Sequence, residues 1–560
     1  MHKARQYYQR LYHARHGQSG PARLEQVAEQ LCCSPRHARA VLATLAGLGW
    51  LQWQAGRGRG QLSQLQFHTH PATLEADALQ QHLARGDIES AMQQLTPASR
   101  QRLGELLPAY LGVQPGSEQR LRIPFYRPLH SLDPVQINRR TECHLIRQLF
   151  DGLTCYQRNS GRIGPALAHH WQHDASLQQW RFVLRPGVLF HHGRPLEGED
   201  VRQTLYRLRD EPGPFQRLFA HLQSVQLPAP REVQITLSQP DALLPHRLAD
   251  HCAVILPRER WPQADFGRLP SGTGPFRLSV NNAHRATLRA FERYWQARPL
   301  LDEVDIWVVN DAATRARLDV RLGYHGDTPP QGQYTLQAEP GCSYVCANPA
   351  TLDASQRAAL AAWLHPAQWP ADLGGQRALG MLAQWQHWPA PQATARPALP
   401  SRLRLVTYKL ATHVGLADHV CARLAAAGCQ VTLQVLDFPE FAANHWRHSA
   451  DLMLTGEVLG DDLDYSCYQW LAGASGFHPW LSDATRHALH TWVGRSQAEP
   501  DSATRWQHYA AAASLLVREH ALIPLQHSTM RLEFDPQLRG IALSQCGWMD
   551  FRQLWFDSAA

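Results

Sequence analysis

The chain has 560 residues, 44% hydrophobic and 18% charged, too long for one core and too apolar for a disordered chain, so two or three folded domains are expected. No run of about eighteen apolar residues occurs, which excludes a membrane-spanning helix. No signal-peptide pattern follows Met1-His2-Lys3-Ala4-Arg5, so the expected location is the cytoplasm. The formal charge of +7 is unevenly placed: within residues 1–70 nine Lys and Arg face only Glu25 and Glu29, which accounts for the whole excess. A small module that meets a polyanion, attached to a charge-balanced remainder, is one reading of this asymmetry; a solvated basic face is the other.

Tyr7/Leu11 and Tyr8/Tyr12 at i,i+4 spacing predict a first helix over residues 3–16, ending at Gly17 in a Gly-Gln-Ser-Gly-Pro loop. Leu24, Val27, Ala28 and Leu31 predict a short second helix. Cys32-Cys33-Ser34 then makes a turn, with Ser34 as N-cap and Pro35 in the first position of a third helix. The apolar stripe Ala38, Val41, Leu42, Leu45 and Leu48 leaves Arg36, His37, Arg39 and Thr44 on exposed or flanking positions. In a helix-turn-helix the start of that helix enters the major groove, where Arg bonds guanine bidentately, so these four residues are the candidate base readers. Residues 50–54 and 61–67 alternate around the Gly-rich tip Gly56-Arg57-Gly58-Arg59-Gly60 and read as a β-hairpin wing, with Arg57 and Arg59 placed for phosphates or the minor groove. A dinucleotide-binding glycine loop competes for that tip, but its spacing fails and no helix follows. A winged helix that binds protein and not DNA is the remaining alternative.

Residues 73–111 read as three helical pieces, carrying Leu79/Leu83, then Ile88, Ala91, Met92 and Leu95, then Leu103, Leu106, Leu107, Tyr110 and Leu111. They are expected to pack on the winged helix and complete its core; a relay or dimerisation role is the alternative. Gly112 to Gln119, with Pro115-Gly116-Ser117, reads as a linker.

From Leu121 onward short strands alternate with helices. Trp180, Phe182 and Leu184 lead to the turn Arg185-Pro186-Gly187, Glu199-Asp200 opens a helix through Val201, Leu205 and Leu208, and Val233, Ile235 and Leu237 form another strand. The eleven cysteines are an odd number without paired CxxC motifs and read as reduced thiols. His169-His170, His173 and His191-His192 invite a metal hypothesis, but no second cluster has ligand spacing, so neither metal nor cofactor is expected. No GxSxG, HExxH or P-loop is present, which sets an enzyme aside.

Several blocks occur in order: Leu132-Asp133-Pro134, Leu149-Phe150-Asp151-Gly152-Leu153, Trp180 to Gly193, Gly272-Thr273-Gly274-Pro275-Phe276, Tyr294-Trp295, Pro299 to Val304, and Asn348 ahead of Arg357. Together they resemble the extracellular solute-binding proteins of the peptide and nickel transporter type, best over residues 121–360. With a winged helix ahead of it, the chain resembles the SgrR family of transcriptional regulators. That resemblance implies a multidomain fold: an α+β winged helix-turn-helix over 1–70, a helical bridge and linker over 71–119, and a bilobal α/β periplasmic-binding-protein-like fold over 121–560. Lobe I is expected at about 121–300 plus 505–560 and lobe II at about 301–504.

The resemblance further implies a cytoplasmic regulator, an activator in that family, linked to sugar-phosphate stress. Its implied partners are double-stranded DNA, a small ligand (sugar phosphate, peptide or oligosaccharide) and RNA polymerase. In peptide-binding relatives a carboxylate in the loop matching Gly460-Asp461-Asp462-Leu463-Asp464 pairs with the ligand's amino group, which assigns Asp461 or Asp462 to the ligand; an exposed loop or a helix cap is the plainer reading. A phosphorylated ligand would instead need Arg or backbone N–H groups in the cleft. The Gly272 to Phe276 block and Pro389 to Pro400 read as connectors between lobes. A transport-associated binding protein is the competing function, argued against by the basic N-terminal module.

Overall fold

The computed structural model describes residues 2–56, 61–93, 103, 106–114, 118–309, 320–324, 334–366, 369, 375–385, 399–473, 476–534, 537–545 and 547–557. The N-terminal module is α1 (His2–Ala14), β1 (Gly20–Ala22), α2 (Leu24–Gln30), α3 (Pro35–Gly47), β2 (Leu51–Gln54) and β3 (Ser63–Phe67). Ser34 caps α3, its hydroxyl accepting from the His37 N–H at 3.3 Å, and Pro35 follows as the first helical residue. Tyr8, Leu11, Val27, Leu31, Leu42, Leu45, Leu51 and Leu65 form one core. Cys32 adopts φ 53° in the turn before α3, a left-handed conformation uncommon for a residue with a Cβ. Two sequence expectations change. Gly20–Ala22 is no loop but pairs with Ser63–Leu65, making a three-stranded sheet of order β1-β3-β2. Leu48, placed on the apolar stripe, caps the end of α3 and is 38% exposed.

The bridge begins with α4 (Pro71–Ala84), capped by His70, and α5 (Ile88–Gln93). Among the described bridge residues only Leu74 joins the winged-helix core. Leu79, Leu83, Ile88, Ala91, Leu103, Leu107 and Leu111 instead gather around Trp307 and Val309 of the large domain. The expectation that this segment completes the reader's core is therefore corrected: its apolar face belongs to lobe I. Glu89 supports the docking, pairing with Arg285 at 3.2 Å and accepting from Asn282 at 2.8 Å. Gly112–Gln114, read as linker, is an edge strand antiparallel to Arg120–Phe125.

Lobe I is built on a five-stranded sheet in the order Phe276–Asn281, Arg285–Ala290, Glu303–Val308, Arg120–Phe125, Gly112–Gln114, and on a four-stranded sheet containing Ala168–His173, Gln179–Leu184, Leu222–Ala229 and Glu232–Leu237. Lobe II has a six-stranded sheet in the order Gln376–Arg377, Leu522–His527, Gly341–Ala347, Leu452–Val458, Arg402–Tyr408, Gln430–Leu436, over a core of Val345, Leu360, Leu405, Leu416, Leu452 and Leu525. The boundaries expected near 300 and 505 shift accordingly. Glu303–Val308 stays in lobe I because it pairs in parallel with Arg120–Phe125. Leu522–His527 lies inside the lobe II sheet, and the chain afterwards rejoins lobe I, the Ala542 carbonyl accepting from Arg158 at 3.4 Å, Trp548 stacking on His144 and Phe551 meeting the same ring edge-on.

The recurring sequence blocks of lobe I converge on one buried carboxylate. Asp151 accepts from Trp295 Nε1 at 2.8 Å, Tyr294 Oη at 3.2 Å and Thr273 Oγ1 at 3.3 Å, and burial raises its pKa despite those donors. The glycines of the Gly272-Thr273-Gly274 block allow backbone contact with the end of the helix Arg140–Leu149: a Cβ on Gly272 would sit 2.0 Å from the Leu149 carbonyl oxygen. This block is thus a packing joint within lobe I and not the inter-lobe crossover expected; residues 389–398 of the second expected connector lie outside the described residues. His191 completes the joint, its Nδ1 accepting from Gly272 N at 3.1 Å while Nε2 faces the Gly274 carbonyl at 3.0 Å. Burial pushes that imidazole down to about 4, consistent with a neutral ring carrying its proton on Nε2.

Candidate functional site

Two places have the chemistry of a site. On the reader, α3 buries Ala38, Val41, Leu42 and Leu45 and leaves Arg36, His37, Arg39 and Thr44 exposed. Arg36 and Arg39 make no ion pair among the described residues. His37 and Thr44 are less free. His37 Nε2 lies 3.3 Å from Tyr7 Oη on α1, and the Thr44 hydroxyl donates to the Ala40 carbonyl at 2.9 Å. Arg57 and Arg59 lie outside the described residues. The charge surplus also hides two structural cations that residue counting could not separate: Arg10 donates to Leu31 O at 3.1 Å and Arg15 to Pro21 O at 3.2 Å.

The second place is a cleft of about 1480 Å³ between the lobes, walled by Tyr126, Arg127, His130, Arg139 and Arg140 of lobe I and by Tyr408, Lys409, His413, Phe438 and Glu457 of lobe II. Arg127 forms a bidentate pair with the fully buried Glu142 at 2.7 and 3.1 Å, and the His130 N–H donates to the same carboxylate at 2.9 Å. Burial alone would push Glu142 up, but these donors hold it below the usual carboxylate range. Arg140 crosses the cleft to Glu339 at 2.9 Å. Burial, reinforced by the charges of Arg139 and Arg127, pushes His130 down. On the opposite wall burial raises Glu457 to about 7 against the pull of Arg140, and lowers His413 to about 3.

Asp461 and Asp462, assigned to the ligand's amino group by resemblance, do not line this cleft. Asp461 accepts from Arg158 Nη2 at 2.6 Å and from Gln545 N at 2.8 Å. Asp462 caps the helix Leu463–Ala472, accepting from Tyr465 N at 3.2 Å, and pairs with His246 at 2.6 Å. Both carboxylates tie lobe I to the start of that helix. The cleft residues Arg139, Arg140 and Glu457 were not singled out in the sequence. The Arg139-Arg140 doublet at a helix start was the one local signal available.

A helix-turn-helix with an unpaired basic face, carried by a bilobal domain with a large, charged cleft, defines a single-chain DNA-binding regulator with its own solute-binding-type sensor. Residues 3–118 match the family described as sugar transport-related sRNA regulator N-term, and residues 162–341 match bacterial extracellular solute-binding proteins, family 5 middle. The chain is 31% identical to the HTH-type transcriptional regulator SgrR of Yersinia pseudotuberculosis serotype I (strain IP32953), over 99% of this chain and 98% of the relative. It is 29% identical to the SgrR of Photorhabdus laumondii subsp. laumondii, over 99% of each. It belongs to the SgrR family of HTH-type transcriptional regulators. Among solved structures the fold is similar to the Escherichia coli murein tripeptide binding protein MppA (TM-score 0.67, 18% identity, covering 79% of this chain and 99% of that one). It is also similar to NikA from Brucella suis in complex with Fe(III)-EDTA (TM-score 0.65, 18% identity, 79% and 100%).

Proposed function

We propose that α3 reads operator DNA in the major groove through Arg36 and Arg39, with the hairpin wing on the backbone, and that a small molecule bound between the lobes sets operator affinity in the cytoplasm. The observation that carries the reading is the unpaired basic face of α3 joined, through a docked helical bridge, to a domain whose large cleft lies between two lobes. A ligand that contacts both lobes favours a closed form by its extra contacts there. Sugar-phosphate stress is the circumstance the family relationship suggests, and a sugar phosphate, a peptide or an oligosaccharide fits the cleft's size.

The test is operator binding by the full chain. Arg36→Ala and Arg39→Ala should each weaken specific binding by roughly 5- to 150-fold, as expected for a lost bidentate base contact of about 1–3 kcal/mol, and weaken non-specific binding less. Ligand and operator should also alter each other's affinity by the same factor. Equal ligand affinity with and without operator would leave an effect on an RNA polymerase contact as the second reading and remove control of DNA binding.

A further inference from the structure

We infer that the cleft contains an anion subsite built on Arg139, which selects a small ligand carrying a carboxylate or a phosphate at one end. This rests on the reading of the cleft as the sensing site and specifies the chemistry it takes. Each neighbouring cleft arginine is matched to an acid: Arg127 to Glu142, Arg140 to Glu339, Arg147 to Asp250. Arg139 is the exception. It is half-buried, makes no hydrogen bond or ion pair from its guanidinium among the described residues, and only covers the ring of Phe438 at 4.5 Å. Stacking on a ring offsets part of the desolvation of a guanidinium but fills none of its five N–H donors.

A second feature lies at the same point. Arg139 occupies the N-cap of the ten-residue helix Arg140–Leu149, whose first turn already carries the buried acid Glu142, so the free cation sits on the rigid start of a helix that lines the cleft. The acids on this wall are already held in pairs, and Arg139 feels the charge of Glu142 without a direct contact to it, which leaves one cation at the helix start with its donors unfilled. Burial, and with it the positive charge of Arg139 and Arg127, lowers the pKa of the adjacent His130. An oxyanion at this position would accept from the Arg139 guanidinium, whose fork suits a carboxylate or a phosphate. Phe438 belongs to lobe II, so an anion held by Arg139 sits where the two lobes meet and adds contacts available only when they are close.

The experiment is a thermal-shift series on the full-length chain at constant ionic strength with matched probes: glucose 6-phosphate against glucose, N-acetyl-trialanine against N-acetyl-trialanine amide, and inorganic phosphate alone. The expected result is stabilisation by an anionic probe and none by its neutral partner. The pair that responds distinguishes phosphate from carboxylate. Arg139→Gln should weaken that binding by roughly tenfold or more while leaving the unliganded melting temperature unchanged, and Arg139→Lys should restore part of it. The Arg36→Ala/Arg39→Ala double variant, which lacks the reader's free cations, should keep the whole response. Stabilisation by neutral probes alone, or unchanged affinity in Arg139→Gln, overturns the subsite while the sensing role of the cleft stands. Absence of any shift with all five probes overturns both.

Discussion

Three acids within four residues at a helix start have three different fates, set by partners far away in the chain. Asp461 meets Arg158, Asp462 meets His246, and Asp464 is buried against Arg505, Tyr509 and Ser502 at 2.8 to 3.1 Å. Arg505 is 4% exposed, so Asp464→Ala should cost about 3–5 kcal/mol in urea unfolding, because it strands a buried guanidinium. Adding Arg505→Met should recover much of the loss, whereas a merely exposed pair would show neither effect. Glu457 gives the complementary pH prediction. Its pKa is raised from 4.5 to about 7 by burial, so between those values the folded chain holds a proton that the unfolded chain has released. Stability therefore falls as pH rises through this window, and the full penalty is present above it. Arg140, Cys342 and Tyr344 are the titratable or charged groups that interact with it. Glu457→Gln should flatten the dependence of melting temperature on pH between about 4.5 and 7; an unchanged slope would remove Glu457 as its cause.

Among the elements, α4 has the clearest mechanical consequence. Its fourteen residues span about 21 Å. At one end Leu74 enters the reader's core and Glu75 meets Gln9; at the other Leu79 and Leu83 enter the cluster around Trp307. One unbroken helix is anchored in two cores, so a closure of the cleft is expected to move lobe II past a reader and lobe I that stay together. Fluorescence transfer between dyes on the reader and on lobe I should stay constant when ligand is added, while a reader-to-lobe II pair should change. The opposite pattern would place the hinge in the bridge. The Gly272-Thr273-Gly274 block carries a related lesson. Glycines that punctuate a sequence look like a crossover, yet here they serve close contact between a loop and a helix end, with Asp151 and His191 binding the loop from either side.

For the whole molecule, a net charge of +7 located entirely in the first seventy residues foretold a division of labour between a reader and a charge-balanced sensor. Affinity for DNA should accordingly fall as salt rises. The order of the helices in the reader, the Ser34-Pro35 start of α3, the exposure of Arg36 and Arg39 and the α/β character of the remainder were all readable in the chain. They depend on caps and periodicities that act within one or two turns of helix or a few residues of strand. The β1 strand, the docking of the bridge on Trp307, the membership of Glu303–Val308 in lobe I and of Leu522–His527 in lobe II, and the isolation of Arg139 were not. Each depends on which distant segment supplies the partner: Glu303 pairs with Arg120, and Asp464 with Arg505. A side chain's type is local information and states only what kind of partner it needs. Which charges become pairs, and which one is left open to a ligand, is decided when tertiary packing brings those partners together or fails to.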